Sequence, residues 1–213
     1  MSVIGILGGT FDPVHCGHLR LAVEMREQLG LDAVRLIPAG TPPHRAPPRA
    51  SATARLHMLE AAVKGTEGLC VDAREFERAG RSYMVDTLRS VQQSFPQHAL
   101  CLILGMDAFC GLESWYQWQR LSQLAHLGVA DRPGTHPPEE GPVASLLAAA
   151  RVDDVAELHR RTAGCVVLRT IPAMDISASQ IRALIARGRS VRYLVPDSVF
   201  DIIMTDGIYA HEQ

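Results

Sequence analysis

The sequence predicts an α/β chain built on a doubly wound, mostly parallel sheet, and three observations predict it. Short apolar runs recur without polar alternation, as at residues 3–7 and 99–104, the pattern of strands buried on both faces. Stretches with apolar residues at helical spacing fall between these runs, and breakers such as Gly8-Gly9, Gly30, Pro38, Pro96 and Gly105 close the elements. Strands alternating with helices favour right-handed crossovers and hence a parallel sheet.

In chain order, Val3-Ile4-Gly5-Ile6-Leu7 reads as the first strand. Leu19, Leu21, Ala22, Met25 and Leu29 then line one face of a helix that stops at Gly30. Residues 33–37 form a second strand closed by Pro38, residues 39–49 a proline-rich loop, and residues 52–63 a helix with Ser51 as its cap. A third strand is expected over 69–73, and a helix over 83–95, started at Ser82 and stopped by Pro96. Residues 99–104 are the clearest buried strand. Residues 124–130 read as a fifth strand, 131–138 as turn, 143–158 as one helix and 165–170 as a late strand. The tail holds two short helices, 177–187 and 197–205, separated by residues 189–195. No internal repeat or low-complexity linker divides the chain, so one domain spans residues 1–213.

The 213 residues carry 21 basic and 23 acidic side chains, a net charge of −2, and 47% apolar residues. The chain is too apolar for disorder and too evenly charged to wrap a nucleic acid, which points to a small partner. Five scattered cysteines (Cys16, Cys70, Cys101, Cys110, Cys165) form no C-x-x-C pair, and Cys101 sits in an apolar run as a small hydrophobe, so a reducing, cytoplasmic setting is expected. No basic leader and no membrane-length apolar run is visible. Lys64 is the single lysine, so phosphate handling must rest on arginines, histidines and backbone N–H groups.

The loop Gly8-Gly9-Thr10-Phe11-Asp12-Pro13-Val14-His15-Cys16-Gly17-His18 lies where an open α/β sheet places ligands, outside the carboxyl end of a strand. Its glycines allow close backbone approach, and Thr10 offers a hydroxyl and an amide. If a helix begins near Gly17, His15 and His18 can face one phosphate at its positive end. Zinc with Cys16 as a third ligand is the poorer reading, because adjacent residues point apart and no second Cys/His pair accompanies them. Neither a Walker loop nor G-x-G-x-x-G is present. Near the C-terminus, Asp175-Ile176-Ser177-Ala178-Ser179-Gln180-Ile181-Arg182 offers a second helix start, with Ser177 or Ser179 as cap and Arg182 able to turn toward an anion. An ordinary capped surface helix explains that segment taken alone. With the first loop it makes a polyphosphate clamp.

These residues resemble known signatures. Gly9-Thr10-Phe11-Asp12-Pro13-Val14-His15-Cys16-Gly17-His18 resembles the G-x-F-D-P-x-H-x-G-H nucleotidyltransferase signature, and residues 176–182 resemble its partner I-S-S-T-x-I-R. Pro42-Pro43-His44-Arg45 is similar to P-P-H-K, Ser82-Tyr83-Met84-Val85-Asp86-Thr87-Leu88 to S-Y-T-x-D-T-L, and Gly105-Met106-Asp107, Trp115 and Arg132-Pro133 complete a resemblance to bacterial nicotinate-nucleotide adenylyltransferases over nearly the whole chain. Arg45, Met84 and the pair Ala178-Ser179 depart from that pattern, where lysine, threonine and Ser-Thr are usual.

The resemblance implies a Rossmann-like nucleotidyltransferase fold, with residues 171–213 as a small helical part that completes the ATP site. It implies transfer of AMP from ATP to nicotinate mononucleotide, with Mg²⁺ held mostly by the triphosphate and water and no metal ligands from the protein. His18 takes the principal role at the α-phosphate, supported by His15. ATP contacts are carried over to Gly8, Gly9, Thr10, Phe11, His15, His18, Gly105, Asp107, Ser177, Ser179 and Arg182. Acceptor contacts are carried over to Thr10, His44, Arg45, Tyr83, Met84, Asp86, Thr87, Trp115 and Arg132, with Trp115 as a wall for the pyridine ring and Trp118 as its core neighbour. Asp86 can equally serve the dipole of its own helix, and Arg132 can be merely solvated. The alternatives are an adenylyltransferase for nicotinamide mononucleotide or phosphopantetheine, a silent nucleotide-binding module, and aminoacyl transfer to RNA, for which the chain has little room. No membrane partner is expected, and the chain is a monomer or a homodimer.

Overall fold

A computed structural model describes residues 1–41, 47–78, 80–131, 134, 136–172 and 174–210. The elements are β1 (Ser2–Gly9), α1 (Cys16–Leu29), β2 (Ala33–Pro38), α2 (Ala52–Val63), β3 (Leu69–Val71), α3 (Arg74–Glu77), α4 (Met84–Ser94), β4 (His98–Gly105), α5 (Met106–Cys110), α6 (Leu121–Leu124), β5 (His126–Asp131), α7 (Gly141–Ala150), α8 (Ala156–Arg160), β6 (Val166–Thr170), α9 (Ala178–Ala186) and α10 (Asp197–Thr205). Two 3-10 turns, Leu112–Ser114 and Trp118–Arg120, lie between α5 and α6. Among the described residues no helix is long and apolar enough to cross a membrane.

All six strands run parallel in the order β3-β2-β1-β4-β5-β6. Alternate residues of each central strand feed two separate cores, which is why the runs carry no polar alternation. Val3, Leu7, Leu36, Cys101 and Ile103 pack on one face with Met25 and Leu29 of α1 and Met58 and Leu59 of α2. Ile4, Ile6, Leu100, Leu102 and Leu104 pack on the other face with Val85 and Leu88 of α4 and Phe109 of α5. Complete burial pushes the Cys101 thiol up to about 12, so it serves the core as a small apolar group. The chain leaves β1 toward β2 and β3, then returns to the opposite side of β1 with β4. The order therefore reverses between β1 and β4, and the carboxyl ends of those strands frame the crevice where such sheets bind ligands.

The structure corrects four element expectations. The helix expected over 143–158 is two helices. Arg151 leaves α7 for a bridge with Val166, and a new helix starts at Ala156, whose N–H donates to the Asp154 carboxylate at 2.9 Å. β3 ends at Val71, because Asp72 turns to pair with Arg35 and Arg74. α4 is capped by Tyr83 rather than Ser82, whose hydroxyl accepts from Gly40 N–H at 3.0 Å and from Thr41 N–H. The segment expected as strand from 124 is still helical there, and β5 begins at His126.

Candidate active site

The loop between β1 and α1 is shaped by its own side chains. Phe11 adopts a left-handed conformation (φ 48°), which a bulky residue holds only when its surroundings compensate, and its ring is buried. That ring fills the space beside Gly9, where a Cβ would stand 3.0 Å from it, and meets the His18 ring edge-on at 5.0 Å between centroids. α1 begins at Cys16 with His15 as its N-cap. The His18 N–H donates to the His15 carbonyl at 2.9 Å, and the His15 N–H donates to His18 Nδ1 at 3.3 Å. The His18 ring thus reaches back to the N-cap, and the two imidazoles stack at 3.7 Å, 25° from parallel. Because His18 Nδ1 accepts, the neutral ring carries its proton on Nε2, the donor a phosphate oxygen needs. His15 is buried and His18 partly exposed, so His18 is the ring that solvent or a ligand can reach.

Beneath this loop lies a buried polar group that the sequence reading did not single out. Asp12 accepts from Arg49 N–H at 2.8 Å, Ala50 N–H at 3.0 Å and the Tyr209 hydroxyl at 2.7 Å. Arg55, only 2% exposed, donates through Nη1 to the carbonyls of Thr10 and Ala39, both at 2.8 Å. Arg55 therefore ties the first loop to the segment after β2. Burial lowers its affinity for its proton, and the nearby Asp12 charge opposes that shift. The Tyr209 hydroxyl is pushed well above the usual phenol range by burial and by its hydrogen bond to Asp12.

The distal segment meets the same loop. Ser177 caps α9 by accepting from Gln180 N–H at 3.1 Å. Arg182 donates through Nη1 to the Asp12 carbonyl at 2.6 Å and through Nη2 to Ser179 Oγ at 3.2 Å. The two motifs, far apart in sequence, are thus joined at Asp12. Ser177 and Ser179 are exposed beside it. Gly105, at the end of β4, faces open space, and Asp107 is exposed in the first turn of α5.

The acceptor set divides. α4 brings its N-terminus to the end of β1, where the Met84 methyl lies 2.4 Å from where a Cβ at Gly8 would stand, so residue 8 has room only for glycine with Met84 in place. The Tyr83 ring packs against Tyr116 at 4.5 Å, and the Gln117 amide donates to the Tyr116 hydroxyl at 2.9 Å. Tyr116, half exposed, was not singled out by sequence. Asp86 pairs with Arg89 at 3.2 Å on the surface of α4. Trp115 and Trp118 are both partly buried against the same core, so the expected contrast between them is not seen. Thr87 is fully buried, and its hydroxyl donates to Glu75 at 2.5 Å, so it joins α4 to α3. His44, Arg45 and Arg132 lie outside the described residues.

Sheet topology and this loop together define a nucleotidyltransferase, and the cytidylyltransferase-like family matches residues 6–184. Two relatives narrow the class. A protein of Halorhodospira halophila named "Probable nicotinate-nucleotide adenylyltransferase" is 44% identical over 213 residues, covering 100% of this chain and 98% of that one. A protein of the same name from Pseudomonas paraeruginosa is 47% identical over 209 residues, covering 97% and 96%. The chain belongs to the nicotinate-nucleotide adenylyltransferase family. Its fold is that of the nicotinic acid mononucleotide adenylyltransferase of Plasmodium falciparum, solved with NaAD, at a TM-score of 0.74 and 15% identity, covering 100% of this chain and 99% of that one.

Proposed function

We propose that this enzyme transfers the adenylyl group of ATP to nicotinate mononucleotide, forming nicotinate adenine dinucleotide and releasing pyrophosphate. The observation that carries the reading is the stacked His15–His18 pair at the N-terminus of α1, on the same loop where Arg182 docks. An oxygen of the acceptor's phosphate attacks the α-phosphorus, the new P–O bond forms, and the bond to the pyrophosphate oxygen breaks. That acceptor oxygen is already ionised near neutral pH, so no strong base and no covalent nucleophile is required. The protein supplies placement and charge stabilisation. His18 Nε2–H donates to the α-phosphate as charge develops, and His15 holds the His18 ring in its orientation. Arg182 binds the triphosphate from α9, with Ser177 and Ser179 beside it, so that residues 171–213 complete the ATP site. Gly8, Gly9, Thr10, Phe11, Gly105 and Asp107 line the nucleotide side; Tyr83, Met84, Asp86 and Trp115 line the acceptor side.

Among the described residues no group of three or more His, Cys, Asp or Glu side chains is placed to hold a metal ion. Mg²⁺ would accompany the triphosphate, with phosphate oxygens and water to hold it, and would supply neutralising charge to the leaving pyrophosphate. The five cysteines are free thiols, which suits work in the cytoplasm.

The test of the acceptor is kcat/KM with Mg²⁺-ATP and, in parallel, nicotinate mononucleotide, nicotinamide mononucleotide and phosphopantetheine. The nicotinate substrate is expected to lead by at least about tenfold, equivalent to about 1.4 kcal/mol. A lead for either other acceptor would overturn the assignment while leaving adenylyl transfer in place.

A further inference from the structure

We propose that Tyr209, at the far C-terminal end of the chain, is a positioning residue for Arg182 and acts on it through Asp12. The proposal rests on the reading of Arg182 as the triphosphate-binding arginine.

After α10 the chain turns back on itself through Gly207 (φ 62°) and Tyr209 (φ 69°), with Ile208 N–H donating to the Ile203 carbonyl and Ala210 N–H to the Gly207 carbonyl. A left-handed backbone at a tyrosine is costly and persists only where the surroundings hold it. Here the residue belongs to the same buried core as Val191, Val195 and Val199, and the hydroxyl reaches Asp12 Oδ1 at 2.7 Å, across 197 positions of sequence. Tyr209 is 8% exposed and Asp12 4%, so water does not substitute for the contact.

Asp12 is where the pieces converge. One carboxylate oxygen takes Tyr209 and Ala50, the other takes Arg49, and Arg182 Nη1 stands 3.7 Å from that second oxygen while donating to the Asp12 carbonyl at 2.6 Å. A guanidinium carries five N–H groups in a rigid fork. Arg182 spends two of them, on the Asp12 carbonyl and on Ser179. That fixes the plane of the fork and keeps its other donors for an anion. Without the Tyr209 hydroxyl, Asp12 Oδ1 loses one of its two donors, the carboxylate gains freedom to rotate, and Oδ2, 3.7 Å from Arg182 Nη1, is free to draw that nitrogen off the Asp12 carbonyl and turn the fork. The effect is expected on ATP binding, because Arg182 is the group read as holding the triphosphate.

The experiment is a double-mutant cycle on the full-length enzyme, measuring kcat and both KM values for wild type, Tyr209→Phe, Arg182→Ala and the double variant, with thermal melts to establish folding at the assay temperature. Should Tyr209→Phe melt low, all four proteins are compared at a temperature at which each is folded. Tyr209→Phe is expected to raise KM for ATP by about fivefold or more, with kcat and the acceptor KM within about twofold of wild type, and to add nothing further in the Arg182→Ala background. An equal factor in both backgrounds, or a uniform loss in all three parameters, would mean Tyr209 only stabilises the fold and would overturn the proposal. An Arg182→Ala variant whose KM for ATP matches that of wild type would instead overturn the reading of Arg182 itself.

Discussion

His18→Ala is expected to lower kcat by about a hundredfold or more with little change in stability, the scale seen when a donor aimed at developing transition-state charge is removed. His18 sits at the third position of α1, where the helix's positive end adds to its own donor. Its ring is held from two sides, by stacking on His15 and by the edge of Phe11, and its Nδ1 is engaged by the His15 N–H, so Nε2 is presented without reorganisation. A donor that reorients during the reaction would contribute far less than one already in place. Steady-state kinetics with a circular-dichroism check of folding tests this, and a folded variant with kcat reduced less than about threefold contradicts the role.

The second large effect is on stability. Arg55→Leu is expected to lower the unfolding free energy by about 3 kcal/mol or more, because it leaves the half-buried Thr10 and Ala39 carbonyls without this donor and removes one of the two cations near Asp12, the other being Arg182. At this chain length that corresponds to a fall in Tm of roughly 6–12 °C. Arg55 is among the most buried side chains of the protein, and its guanidinium also lies over the Phe76 ring at 5.0 Å. Differential scanning calorimetry measures the change. A fall of less than about 2 °C would show that Thr10 and Ala39 find other donors and that Arg55 does not hold the first loop.

Much of the fold was legible because parallel strands buried on both faces leave a mark that needs no partner to be read: residues 3–7, 33–37 and 99–104 all lie within strands of the sheet. The first helix was legible for a similar reason, since Leu21, Ala22, Met25 and Leu29 share its buried face and Gly30 (φ 61°) ends it. What failed were elements decided by local polar side chains. Asp154 starts a helix where apolar periodicity ran on, and Asp72 ends a strand where the apolar run suggested two more residues. The short helices between Met106 and Leu124 are too brief to show a period.

The candidate site divides in the same way. His15, His18 and Thr10 lie in one contiguous motif and were readable from spacing. Arg182 and Ser179 were readable as a capped helix start, but their meeting with Asp12 was not. Asp12–Tyr209 and Arg55–Thr10 join positions with no periodic relation, so nothing in the sequence pattern distinguishes them from solvated residues. Thr87 belongs to a recognisable motif, and its hydrogen bond to Glu75, which links α4 to α3, was equally hidden in the sequence. His126, fully buried at the start of β5 with Nδ1 accepting from Cys165 N–H, likewise left no trace.

The central claim is transfer of the α-phosphorus of ATP to an acceptor phosphate, and it is tested most directly with ATP radiolabelled at that atom. Incubated with Mg²⁺ and nicotinate mononucleotide, the enzyme is predicted to place all transferred label in the dinucleotide and to release one unlabelled pyrophosphate for each dinucleotide formed. Label remaining in ATP although the nucleotide is bound, or label leaving as free AMP without a dinucleotide, would contradict the account.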